Sequence, residues 1–197
     1  MVHLSDPMTA STGWRLEAAR LAVRHRRLDV VQDFDWSHAP GRIAWLVGEN
    51  GAGKSSLLRV LAGRSRPASG SVRRVGPPGA TASVLYYRPG MRLPPRARVG
   101  DWARLTDRLL RAAGPTPYWT GSLAPRLDPE RRLDRLSTGE AKRLLLDALL
   151  RRQAPFVFLD EPYEHLSPRA KETLTTILAA RASHAVVVVA TNQELPG

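Results

Sequence analysis

A chain of 197 residues with 43% hydrophobic content can bury one substantial core, and two unrelated domains would be cramped in it. It holds no cysteine, so disulfide frameworks and thiolate metal sites are excluded. The formal net charge of +12 rests almost wholly on arginine, the lysines being Lys54, Lys142 and Lys171. These cations run from Arg15 to Arg181 without forming one block, which disfavours a nucleic-acid footprint.

The lead over 1–13, "MVHLSDPMTASTG", is polar, is expected to be flexible and lacks the apolar run of a secretory signal. From residue 14 to 197 a single domain is expected. "WRLEAARLAV" and "LDVVQDFDW" alternate apolar and polar residues, which predicts two strands joined by the turn "RHRR". "GRIAWLV" reads as a buried strand that feeds a glycine-rich turn, and "KSSLLRVLAG" then has helical spacing and stops at Gly63. "SGSVRRV" and "ASVLYY" read as strands on either side of the turn "GPPG". Proline punctuates the text from Arg88 to about Leu136 before it turns helical, which marks an inserted helical subdomain over about 89–152. "STGEAKRLLLDALLRR" is a clear helix and "PFVFLD" a second buried strand. A further helix, "SPRAKETLTTILAARA", takes Ser167 as its N-cap and Pro168 at its first position. The last strand, "AVVVVAT", contains the longest unbroken aliphatic run, far short of the ~20 residues that cross a bilayer. Short apolar runs alternating with helices predict an α/β fold with a mostly parallel sheet and antiparallel N-terminal strands.

Three motifs carry chemistry. "GENGAGKS", Gly48 to Ser55, satisfies the G-x-x-x-x-G-K-[ST] spacing between a predicted strand and a predicted helix. Glycines let successive N–H groups turn inward around an anion, and the helix adds its positive end. Lys54 reaches the outer phosphates and the Ser55 hydroxyl can ligate Mg²⁺. The second motif, "FVFLDEP", ends a buried strand on Asp160, which can hold Mg²⁺ through its water, and on Glu161, placed to polarise an attacking water. The third is "LSTGE", in which Ser137 and Glu140 have the spacing of a capping box. A serine and a glycine at an exposed helix start also make an anion site.

In this order the motifs resemble those of an ATP-binding cassette (ABC) ATPase: a Walker A loop, a Walker B strand and a variant of the LSGGQ signature. The likeness runs from about Leu16 to Leu195. It implies a P-loop NTPase core in which Gly48, Glu49, Asn50, Gly51, Ala52, Gly53, Lys54, Ser55 and Ser56 hold ATP and Ser55 and Asp160 hold Mg²⁺. It also implies a homo- or heterodimer in which Ser137, Thr138, Gly139 and Glu140 of one copy cap the ATP held by the other. "LEAARLAVRHRRLDVVQDF" and "YYRPGM" are further similar to the small ATPase subunit of the haem exporter of cytochrome c maturation. The resemblance then implies an ATPase subunit on the cytoplasmic face that drives a separate integral membrane permease and touches the membrane only through it.

The text departs from the family at the residues that govern release. Arg88, or Gly90 under a second alignment, stands where the family's metal-sensing glutamine belongs, and Asn192 where its switch histidine belongs. The loop after Walker B, which usually ends in aspartate, ends at Ser167. The adenine-stacking aromatic maps to Arg24 or His25. With Glu161 kept as base and Asn192 unable to carry a proton at neutral pH, slow hydrolysis is expected. Two other readings are a soluble cassette ATPase acting on ribosomes or nucleic acid, and a binding-only partner in an asymmetric dimer.

Overall fold

The computed structural model describes residues 13–25, 28–112 and 122–192. The polar lead, all but Gly13, therefore lies outside the described residues, as do Arg26 and Arg27 of the predicted turn and everything after Asn192. The chain divides into two units, one of 1–88, 154–162 and 181–197 and one of 89–153 and 163–180.

Two sheets of opposite character make up the first unit. β1 (Arg15–His25), β2 (Leu28–His38) and β4 (Ser69–Val75) form an antiparallel sheet in the order β2-β1-β4. β3 (Ile43–Val47), β5 (Val84–Tyr87), β6 (Phe156–Asp160) and β7 (Val186–Thr191) form a wholly parallel one in the order β3-β7-β6-β5. Every residue of β6 and β7 is buried, as expected for the central strands of a parallel sheet. Alternation along β1 is interrupted where its register with β2 shifts, and Arg20 and Asp33 take φ of 46° there. The Arg20 amide is satisfied by donating to Asp35 Oδ1 at 2.8 Å.

α1 (Lys54–Leu61) lies between the two sheets. Its Leu57, Leu58, Val60 and Leu61 share one core with Leu16, Leu21 and Trp36 of the antiparallel sheet and with Phe156, Phe158, Val186 and Val188 of the parallel one. Burying a leucine fully is worth about 1.5–3 kcal/mol, so this short helix is held by its surroundings far more than by its own hydrogen bonds. It ends as the sequence predicts, at Gly63: the N–H groups of Gly63 and Arg64 close back onto the carbonyls of Val60 and Arg59.

The second unit is helical: α2 (Val99–Ala112), a 3₁₀ turn at Leu133–Arg135, α3 (Thr138–Leu150) and most of α4 (Pro168–Ala182). Buried Asp147 on α3 ties down the chain before it, accepting from the N–H groups of Leu123 at 2.8 Å and Ala124 at 3.1 Å. Ser167 caps α4, its hydroxyl accepting from the Ala170 amide at 3.4 Å.

Candidate functional site

Parallel register decides where the chemistry collects. Val47 at the end of β3 lies beside Thr191 at the end of β7, and Asp160 at the end of β6 lies beside Ala190. Gly48, Asp160, Glu161 and Asn192 therefore emerge at one edge of the parallel sheet, its carboxyl edge, where open α/β sheets bind their ligands. Residues more than a hundred positions apart in the text are thus brought together.

Immediately after β3 the backbone turns through Gly51 at φ 85° and Gly53 at φ 90°, and Gly53 is the N-cap of α1. Any side chain at Gly53 would also collide with Val30 of β2, so both the backbone angle and the space require glycine. No side chain caps this helix end, which leaves its first N–H groups for a ligand. The buried Lys54 ammonium lies against the same turn, donating to the carbonyls of Gly48 at 2.7 Å and Glu49 at 3.0 Å. The arrangement is a cationic cradle for a phosphate chain.

Two oxygen donors stand beside it. The Ser55 hydroxyl donates to Asp160 Oδ1 at 2.9 Å, and Asp160 is buried. A hydroxyl and a carboxylate held together suit a hard cation such as Mg²⁺, so the residues present fit the metal the motifs imply. Glu161 follows at φ 46°, a region that few side chains adopt, with its N–H donating to the Ala190 carbonyl at 2.9 Å. Its carboxylate faces Lys54 Nζ at 3.6 Å and accepts from the Asn192 N–H at 3.2 Å. The Asn192 amide in turn donates to Asn50 Oδ1 at 3.0 Å, linking the end of β7 to the phosphate turn.

His25 and Arg24 are separated by their partners. Arg24 is paired with Asp29 at 2.8 Å, and the Asp29 carboxyl is held below its usual range, chiefly by that bond. His25 Nδ1 lies 3.1 Å from the Ser56 hydroxyl, so of the two it is His25 that meets the phosphate turn. Arg88 follows β5 directly and is exposed; a guanidinium offers donors alone, so Arg88 is absent from the set that fits a cation. Arg59 was missed in the sequence. It donates to the Ser55 carbonyl at 3.1 Å and to the Ser56 hydroxyl at 3.4 Å, and its spacing of four from Ser55 on a helix was the available signal.

In the second unit, Ser137 and Glu140 form the capping box at the start of α3. The Ser137 hydroxyl accepts from the Glu140 amide at 3.2 Å and Glu140 Oε2 accepts from the Ser137 amide at 2.8 Å. These bonds, first that from the Ser137 amide, hold the Glu140 carboxyl below its usual range, and Arg131 pairs with it at 3.0 Å. Thr138 is exposed beside them, and a side chain at Gly139 would strike the His165 carbonyl at 2.8 Å.

Comparison with known proteins places these features in one family. The model of the ABC transporter family matches residues 31–164. The cytochrome c biogenesis ATP-binding export protein CcmA 2 of Cupriavidus metallidurans is 31% identical over 92% of this chain and 90% of its own length. The tylosin resistance ATP-binding protein TlrC of Streptomyces fradiae is 30% identical over 92% of this chain and 40% of its own. Against three Streptomyces relatives the chain spans 33–40% of the relative's length. A solved ATP-binding subunit of an ABC transporter shares the fold with a TM-score of 0.64, at 20% identity over 90% of this chain and 79% of that one. The α/β fold with its parallel sheet, the phosphate turn and the matched family model together establish that the chain belongs to the ABC transporter family as an ATP-binding domain.

Proposed function

We propose that the chain is a slowly hydrolysing ATPase subunit whose ATP-driven dimerisation moves a separate integral membrane permease. The observation that carries this reading is the single cluster of Lys54, Ser55, Asp160 and Glu161 at the carboxyl edge of the parallel sheet. The N–H groups at the start of α1 and the Lys54 ammonium bind the phosphates, with His25 beside Ser56 on the purine side. Ser55 and Asp160 would hold Mg²⁺, which supplies charge neutralisation on the phosphate oxygens. Glu161 orients the attacking water and draws off its proton, its Oε2 held by the Asn192 N–H and its Oε1 facing Lys54 Nζ at 3.6 Å. Asn192 can hydrogen-bond a phosphate but cannot move a proton, which makes hydrolysis slower than binding. In the dimer, Ser137, Thr138, Gly139 and Glu140 of the second copy close over the nucleotide.

Purified chain should show steady-state ATPase activity that Lys54→Ala abolishes and Glu161→Gln lowers by ~10²–10⁴-fold, the usual contribution of a general base. Equal activity in all three would contradict the assignment.

Relatives named for cytochrome c biogenesis export support haem export as the transport step. Others are named for zinc import and ribose import, so the cargo is tested on the membrane partner. Pull-down from membranes should bring down a multi-spanning haem-handling protein. The exposed Leu105 and Leu109 of α2, with exposed Met91 before it, offer that partner an apolar contact rimmed by Arg104 and Arg108. Peripheral attachment to the cytoplasmic face through that partner belongs to the same reading; no described helix is long and apolar enough to cross a membrane.

A further inference from the structure

One polar atom beside this site has nothing to bond. The Tyr86 hydroxyl on β5 is shut off from solvent and lacks a hydrogen-bond partner among the described residues, a state that costs about 1–3 kcal/mol unless something meets it. Tyr86 lies directly opposite Phe158 in the parallel ladder, and Phe158 and Asp160 point to the same face of β6 because side chains alternate along a strand. That face carries the core shared with α1: Phe158 belongs to it together with Leu57, Leu58 and Leu61, and Tyr86 packs against it. Tyr86 is therefore on the same side of the sheet as Asp160, one strand over, and a phenol is long enough to reach along that face. The two groups feel each other, since burial first and the Asp160 charge second push the Tyr86 hydroxyl above its ordinary pKa, with Arg59, Arg88 and Arg64 opposing. The phenol thus stays protonated at neutral pH, able both to donate and to accept.

We infer that the Tyr86 hydroxyl is a positioning group for the hydrated cation at Ser55 and Asp160, accepting a hydrogen bond from a metal-bound water. This rests on the proposed Mg²⁺–ATP function and deepens it. The glutamine that the family keeps between core and helical subdomain is replaced here by Arg88, which cannot serve a cation. The tyrosine two residues earlier supplies a neutral oxygen from inside the sheet. Tyr86 acts through that water and touches no reacting atom.

Tyr86→Phe removes one oxygen and keeps the ring, so it separates this role from packing. ATP affinity of wild type and variant should be titrated with Mg²⁺ and again with a chelator, alongside melting temperature without nucleotide. The inference predicts that Mg²⁺ tightens ATP binding in wild type and does so at least fivefold less in Tyr86→Phe. With chelator the two chains bind ATP equally, and the ligand-free variant melts no lower than wild type. Wild-type Mg²⁺ enhancement retained in Tyr86→Phe would overturn the inference and leave the ATPase reading standing. Failure of the wild type itself to bind ATP would sink that reading and this inference with it.

Discussion

Gly53 shows how much one residue of the site was legible and how much was hidden. Its place before Lys54 is plain from the spacing of the phosphate turn, and the left-handed φ of 90° is the reason that spacing uses glycine. The contact with Val30 was hidden, because nothing in the text brings β2 against the turn. A methyl group at this position meets both penalties, so Gly53→Ala should lower stability by ~1–3 kcal/mol and weaken ATP binding together, as read by thermal melting and titration. Retention of both would mean that the turn is looser than its angles indicate. Glu161 and Asn192 follow the same division. Each could be picked from its strand end, but the bond between them depends on the register of β6 with β7, which the apolar runs of those strands do not encode. The adenine-side residue was left open between Arg24 and His25; Arg24 is paired with Asp29 while His25 lies against Ser56, which favours His25 for the proposed role.

At the scale of elements, hydrophobic spacing identified each described helix and strand of the core, because buried runs between polar turns are local information. Two things were beyond it. The spacing of α1 shows a helix but not its surroundings: it is covered by a sheet on each side, since the antiparallel sheet comes from segments before and after it. The positive φ values at Arg20 and Asp33 arise from pairing irregularities between β1 and β2, which alternation cannot foretell. The start of α3 was readable in two ways, as a cap and as an anion site. The capping box is formed, and the two roles can be told apart by substitution. Ser137→Ala should cost about 1 kcal/mol, which lowers the melting temperature by ~2–4 °C, and Ser137→Asn should restore it. If Ser137→Asn restores the melting temperature but not nucleotide-driven dimerisation, the serine serves both roles; an unchanged melting temperature in Ser137→Ala would contradict the cap.

For the molecule as a whole, charge bears on stability through the histidines. His38 is buried in the core side of β2, stacked on Trp36 at 5.4 Å between ring centroids, with Nε2 donating to the Arg42 carbonyl at 3.1 Å. Burial drives its pKa below the ordinary value, the bond to Arg42 opposes this and the Arg42 charge adds to it. His184 is shifted the same way, by burial and then by Arg181. As pH falls through about 6.5 the unfolded chain takes up protons at these positions while the folded chain does not, so stability drops on the acid side and is full above it. The melting temperature should be lower at pH 5.5 than at pH 7.5, with a smaller difference in His38→Gln; an unchanged difference would assign the acid sensitivity elsewhere. The spread of arginine along the text showed no such site, because burial is a property of the fold. Everything proposed for the whole molecule depends on the phosphate turn holding a nucleotide, and calorimetric titration of the purified chain with ATP and Mg²⁺ tests this most directly. The account predicts saturable binding near one ATP per chain, lost in Lys54→Ala; no heat of binding at millimolar ATP, or equal binding by Lys54→Ala, would contradict it.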